Sequence, residues 1–274
     1  MRRLALALLV ALAAPAAGAQ TCTATDWMAV PLPGGGDLME TALETAYPGT
    51  DLDRPAGTFV TDDGRTVPYR GDRDVSPADR LDDATIGDMF VYPYPLAFDL
   101  SARRTPWFDP GRVRNDALMR ALWFDDAAAA RASLAVARYQ GYSTSADFAV
   151  TSKRCVHAQL QAALDQIATH GAGMDKFLVP NGGTFNWRTI SGTDRLSAHS
   201  FGIAVDFNTE LGGYWRWSGA QPGNAAAYDN RYPPDLVQAM ERYGFIWGGK
   251  WHHFDGMHFE YRPELILFAR LLRG

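Results

Sequence analysis

The chain has 274 residues, 47% of them hydrophobic, which is enough apolar material for one sizeable core or a core with a smaller satellite. A formal net charge of -5 and the lack of a basic stripe argue against a nucleic-acid partner. The only lysines are Lys153, Lys176 and Lys250, and none has a serine three residues ahead, which excludes Ser-x-x-Lys peptidase chemistry.

The amino terminus reads as a leader. Arg2 and Arg3 precede an apolar run, Leu4 to Ala14, too short to span a bilayer, and Ala17-Gly18-Ala19 is a small-residue cleavage pattern. Cleavage is expected after Ala19, with the mature chain starting near Gln20 in a periplasmic or secreted location; an uncleaved anchor is the alternative. No other stretch is apolar enough to cross a membrane. Export places Cys22 and Cys155 in an oxidising compartment, so a Cys22–Cys155 disulfide is expected.

Residues 20–108 are rich in Gly, Pro and Asp. Thr58 to Thr61 and Arg65 to Tyr69 flank Asp62-Asp63-Gly64, a hairpin signal. Asp51-Leu52-Asp53 lacks the ligand series of a calcium loop and reads as a solvated loop. From Asp109 the pattern turns helical: one helix from Pro110, with Val113, Ala117, Leu118, Ala121 and Leu122 at helical spacing, and an Ala-rich second one from Asp125-Asp126 to Tyr139-Gln140-Gly141. A third is expected from Ser152 to His170, stopped by Gly171. Strand-like runs follow at 177–179, 184–190 and 203–208. A fourth helix starts at Pro233 or Pro234 and ends at Tyr243-Gly244, a strand covers 257–261, and a terminal helix covers 263–272. Without regular βαβ alternation, the fold class is α+β: a small, largely antiparallel sheet flanked by helices.

Two segments carry the chemistry. In the first, Ser197 to Asp206, the residues Ile203, Val205 and Phe207 alternate with Ala204, Asp206 and Asn208, so one strand face is apolar and the other presents Asp206. Gly202 lets the chain turn back toward His199. In the second, Met257, Phe259 and Tyr261 face the core while His258 and Glu260 share the opposite face. Two imidazoles and a carboxylate make three zinc ligands with a fourth position open to water, and Asp255, just ahead of the strand, is placed to accept a proton. His252 and His253 are neighbours on an extended chain and cannot both reach one ion. One of them is a candidate for a supporting or substrate contact. The aromatic, glycine-rich loop 210–231 reads as a lid, a sugar platform or a self-packed surface loop.

Ser197, His199, Gly202, Ala204 and Asp206, followed by Asp255, His258, Phe259 and Glu260, resemble the SxHxxGxAxD and DxxH-Phe-Glu signatures of the VanY-type zinc D-alanyl-D-alanine carboxypeptidases and their L-alanyl-D-glutamate endopeptidase relatives. Five fixed positions agree by chance on the order of once in a million starts. The resemblance covers about residues 150–265 and implies a zinc fold of the Hedgehog and D,D-peptidase kind. It also implies His199, Asp206 and His258 as Zn2+ ligands, Asp255 as general base, and an arginine facing the oxyanion. Arg188 and Arg195 are the candidates; Arg188 is preferred because it lies in a strand-like run. Ser197 and Trp251 are candidate substrate contacts. The expected organisation is a leader at 1–19, a loop-rich and helical region at 20–150, and a zinc peptidase domain at 151–274 acting on the peptide part of peptidoglycan. A non-catalytic wall-binding or signalling module of the same fold is the alternative. Oligomeric state and the bond cut are left open.

Overall fold

The computed structural model describes residues 22–190, 193–225 and 228–274; the expected leader at 1–19 lies outside the described residues. Helix α1 (Leu38–Ala46) starts at Asp37, whose carboxylate accepts from the Met39 and Glu40 N–H groups. Strands β1 (Asp51–Asp53), β2 (Thr58–Val60) and β3 (Thr66–Pro68) form an antiparallel meander. The expected hairpin is β2–β3. The expected loop at 51–53 is a strand instead: Leu52 is buried opposite Phe59, and both aspartates face solvent.

Helix α2 (Pro77–Asp82) is short, and residues 110–115 form no helix. Helix α3 (Asp116–Leu122) begins only at Asn115, whose side chain accepts from Leu118 N–H at 2.8 Å. The expected Ala-rich helix stops early, as α4 (Ala127–Ala132), and the chain turns into β4 (Leu134–Gln140) paired with β5 (Ser145–Thr151). Alanine conceals the two-residue period there: Ala137 and Tyr139 are buried while Val136 is exposed. Helix α5 (Val156–Ala168) packs on β4 with Leu160, Ala163, Leu164 and Ile167 buried. The run expected as a strand at 177–179 begins instead within helix α6 (Asp175–Leu178). The Asp175 carboxylate accepts from Tyr142 and Ser143 N–H and from the Tyr139 hydroxyl, which fixes that turn.

The central sheet holds β6 (Ala204–Asp206), β7 (Phe245–Trp247) and β8 (His258–Tyr261) in the order β6-β8-β7, all antiparallel. Helices α7 (Thr209–Gly212) and α8 (Pro234–Arg242) lie between β6 and β7, and α9 (Pro263–Leu271) closes the chain. The architecture is α+β, small antiparallel sheets flanked by helices.

One hydrophobic core runs through both halves of the chain, from Leu43 and Phe59 to Leu164, Trp247 and Phe259. Buried polar links cross the same seam. Tyr47 donates to Glu264 (2.6 Å), Lys250 pairs with Glu241 (2.5 Å) and donates to Pro95 O (2.7 Å), and Arg114 pairs with Glu260 (2.5 Å). Such groups are costly to bury unless paired, so each link fixes how the amino-terminal region seats on the sheet. Cys22 and Cys155 form the expected disulfide, with Cα atoms 5.4 Å apart across 133 residues of sequence. Closing so long a loop restricts the unfolded chain, so replacing both cysteines by serine should lower the unfolding free energy by about 2–4 kcal/mol. Urea titration of the double variant checks this, and equal stability would show the bridge to be idle.

Candidate metal centre

The site is assembled from three short stretches. Ser197 opens the 3-10 turn Ala198–Phe201 by accepting from His199 N–H at 3.4 Å. Gly202 ends that turn at φ 67, where a Cβ would lie 3.0 Å from Thr151 N, so a larger residue would be both strained and crowded. The turn carries His199 to the polar face of the sheet, where Asp206 on β6 stands directly opposite His258 on β8. Three donor atoms then converge: His199 Nε2 to His258 Nδ1 is 3.2 Å, His258 Nδ1 to Asp206 Oδ1 is 2.9 Å, and His199 Nε2 to Asp206 Oδ1 is 3.2 Å.

The outward ring nitrogens fix what these atoms offer. His199 Nδ1 lies 2.5 Å from the Thr184 carbonyl, which can only accept, so Nδ1 carries the proton and the Nε2 lone pair points inward. His258 Nε2 lies 3.1 Å from Glu260 Oε2. Burial works against the Glu260 charge, yet Arg114, His258 and Arg262 hold that carboxyl well below the usual range. It therefore accepts, Nε2–H donates, and the His258 Nδ1 lone pair also points inward. Two lone pairs and a carboxylate with no donor between them call for a cation, and this His/Asp/His group can hold a metal ion. Without one, a proton fills the gap: burial lowers the His258 pKa, but hydrogen bonds to Asp206 and Glu260 push it up to about 10. Asp206 is likewise held well below its ordinary range by His199 and His258, against burial.

A cleft of about 310 Å³ opens over these donors. Asp255, Arg188, Ser197 and Trp251 all line it, together with Arg112 and Arg114 from the amino-terminal region and with Tyr214 and Trp217 from the loop 210–231. Asp255 is tied to that loop. It bridges Tyr214, and the next residue, Gly256, donates to Gly213 O at 2.8 Å in a contact so close that a Cβ would lie 1.9 Å from Gly212 O. Burial raises the Asp255 pKa above the ordinary aspartate range; Asp206 adds to this, while His258 and Arg112 oppose it. Trp251 is nearly fully buried, with the Arg112 guanidinium 4.8 Å above its ring.

The strand expected at 184–190 is absent; an isolated bridge, Thr189 to Leu196, forms there, while the Asn186 and Arg188 N–H groups donate to His199 O and Ser200 Oγ of the His199 turn. Arg188 lines the cleft, but from an irregular, exposed segment, so the reason for preferring it does not stand even though its location fits. Arg195 faces a neighbouring cavity and donates to Arg112 O at 3.3 Å. His252 and His253 stay away from the three donors. Their Nε2 atoms accept from Ala225 and Gly223 N–H, and their Nδ1 atoms meet Arg103 O and Asp109, fastening the loop 210–231 to the amino-terminal region.

Residues 191–261 match the family model described as D-alanyl-D-alanine carboxypeptidase. That segment is similar to this peptidase family. No curated protein and no solved structure matches the chain. The family segment contains the converging donors, Asp255 and Glu260, whereas Arg112, Arg114, Thr184 and Arg188 precede it. Sequence reasoning missed Arg112 and Arg114. Their i, i+2 spacing just after Pro110-Gly111 was the available signal, hidden by reading that stretch as a helix.

Metal affinity should follow the protonation described above. Below pH 10 the ion must displace the His258 proton, so affinity should rise about tenfold per pH unit as the pH climbs toward that value. Glu260→Gln, which removes the anion behind His258, should weaken binding by about 10–100-fold. Competition with a chromophoric chelator reads both; a flat pH profile with wild-type affinity in Glu260→Gln would contradict the arrangement.

Proposed function

We propose that this chain is an exported, zinc-dependent peptidase that hydrolyses the peptide stem of peptidoglycan, as a D,D-carboxypeptidase or an L-Ala–D-Glu endopeptidase. The observation that carries the reading is one cleft holding three converging donors, a carboxylate of raised pKa and an exposed arginine. The leader-like first 19 residues and the disulfide support export to a periplasmic or secreted location.

The donor set of two imidazoles and one carboxylate suits zinc, held by His199, Asp206 and His258; the ion would polarise the scissile carbonyl and acidify a water. Asp255 takes the proton from the attacking water and returns it to the leaving amine. Its raised pKa makes it a stronger base than an ordinary aspartate. Arg188 offers its guanidinium to the carbonyl oxygen as negative charge develops there. Ser197 and Trp251 line the cleft in which the peptide would lie. A wall-binding module without turnover would need neither Asp255 nor Arg188 in the cleft.

Digestion of purified stem peptides with mass assignment of the products tests the reading. Loss of one alanine marks the carboxypeptidase, and separation of Ala from Glu marks the endopeptidase. Asp255→Ala should keep its metal and lose turnover by about 10²–10⁴-fold. Arg188→Ala should lose about a hundredfold in kcat with little change in KM. Intact peptides after incubation with metal-loaded wild-type protein would refute the proposal.

A further inference from the structure

A second cavity, about 210 Å³, adjoins the metal-centre cleft, and the two share Arg112, Ile190 and Tyr214 as a common wall. Its chemistry differs from that of the first. Trp107, Trp215 and Leu81 supply ring faces and apolar surface, while Arg112, Arg195 and Arg216 bring three guanidinium groups against one carboxylate, Asp82.

Two of these arginines are incompletely satisfied. Arg112 is held by a hydrogen bond from Nε to His253 O (2.8 Å) and by its stacking on Trp251, yet its buried Nη2 has no hydrogen-bond partner among the described residues. The nearest anion is Asp255, at 3.9 Å. Arg195 donates from Nη1 to a backbone oxygen, but its buried Nε has no partner among the described residues. Burial, with Arg114 and Arg112 nearby, pulls the Arg195 pKa down to about 10. Buried guanidinium nitrogens left unpaired are costly, and an acceptor that meets them recovers the loss.

We propose that this second cavity is an anion-binding subsite of the substrate cleft, in which Arg112 binds a carboxylate carried by an arm of the stem peptide. The proposal rests on the peptidase reading for the identity of its ligand. Arg112 stands on the boundary between the two cavities, so a peptide lying across the metal centre brings a side arm or terminus to its free Nη2. The planar fork of arginine suits a carboxylate, and Trp107 and Trp215 accommodate the carbon skeleton behind it. Leu81, Trp107 and Arg112 all come from the amino-terminal region, outside the family segment. That region thereby acquires a role in selecting substrate.

The test uses a synthetic stem peptide with both an L-Ala–D-Glu and a D-Ala–D-Ala bond, in its parent form and with each carboxylate amidated in turn. Binding is followed by tryptophan fluorescence in the metal-loaded Asp255→Asn protein, which keeps the shape beside Arg112 and leaves the peptide uncut. Amidation of one carboxylate should weaken binding by about tenfold or more, and adding Arg112→Met should shrink that penalty to less than about twofold. Arg112→Lys should retain part of it. Arg216→Ala, a surface change that spares the fold, should weaken the parent peptide about two- to fivefold while preserving the preference. Thermal melts and metal content accompany each variant, and if Arg112→Met unfolds, Arg112→Lys decides, with Arg216→Ala as the control that keeps the preference. No carboxylate preference, a preference untouched by the Arg112 changes, or no binding of the parent peptide overturns the subsite. Carboxylate-dependent binding through Arg112 in a protein whose wild type leaves the peptide intact would sustain the subsite and remove the peptidase reading; cleavage without that dependence would do the reverse.

Discussion

The buried carboxylate of Glu260 is the group on which the site depends. It is fully excluded from solvent, a position that costs an isolated ion several kcal/mol. Arg114 at 2.5 Å, Arg262 at 3.1 Å and His258 at 3.1 Å offset that cost together. In return, Glu260 orients the imidazole whose other nitrogen faces Asp206 and His199. The chain of contacts continues outward: Arg262 pairs with Glu264 at 2.5 Å, which accepts from Tyr47 at the end of α1. An orientation needed at the metal centre is thus maintained by residues more than a hundred positions away in sequence.

This explains why the amino-terminal region cannot be treated as a mere appendage. Arg114 neutralises Glu260, Arg112 lies over Trp251 and beside Asp255, and Arg103 donates to the Trp251 and His252 carbonyls. The adjacent histidines accept from the Gly223 and Ala225 N–H groups of the loop, with Asp109 and Arg103 behind them. Both Nε2 atoms act as acceptors there. The matched segment supplies the converging donor atoms and Asp255, while the preceding chain supplies much of the charge balance and the walls.

Much of this was legible in the sequence where local pattern and chemistry coincide. The alternation around Asp206 and His258 set two strands with their polar faces together, and the register Asp206 to His258 bears that out. Helices with a proline in the first turn, such as α8 after Pro233 and α9 after Arg262, formed within a residue or two of their expected limits. The β4–β5 hairpin was obscured because alanine occupies both buried and exposed positions in a strand without declaring either. Pro110 suggested a helix start, but the cap that forms is Asn115, and the resulting irregular stretch is what delivers Arg112 and Arg114 to the cleft. Long-range charge pairing of this kind leaves no periodic trace in sequence.

We propose that His199 Nε2, Asp206 and His258 Nδ1 together hold one divalent ion. Crystals of the protein purified without chelators, measured on both sides of the zinc absorption edge, would test it directly. A single strong anomalous peak among those three atoms, appearing only above the edge, is expected. A peak at His252 and His253, or no peak in zinc-supplemented crystals with the three side chains well ordered, would contradict it.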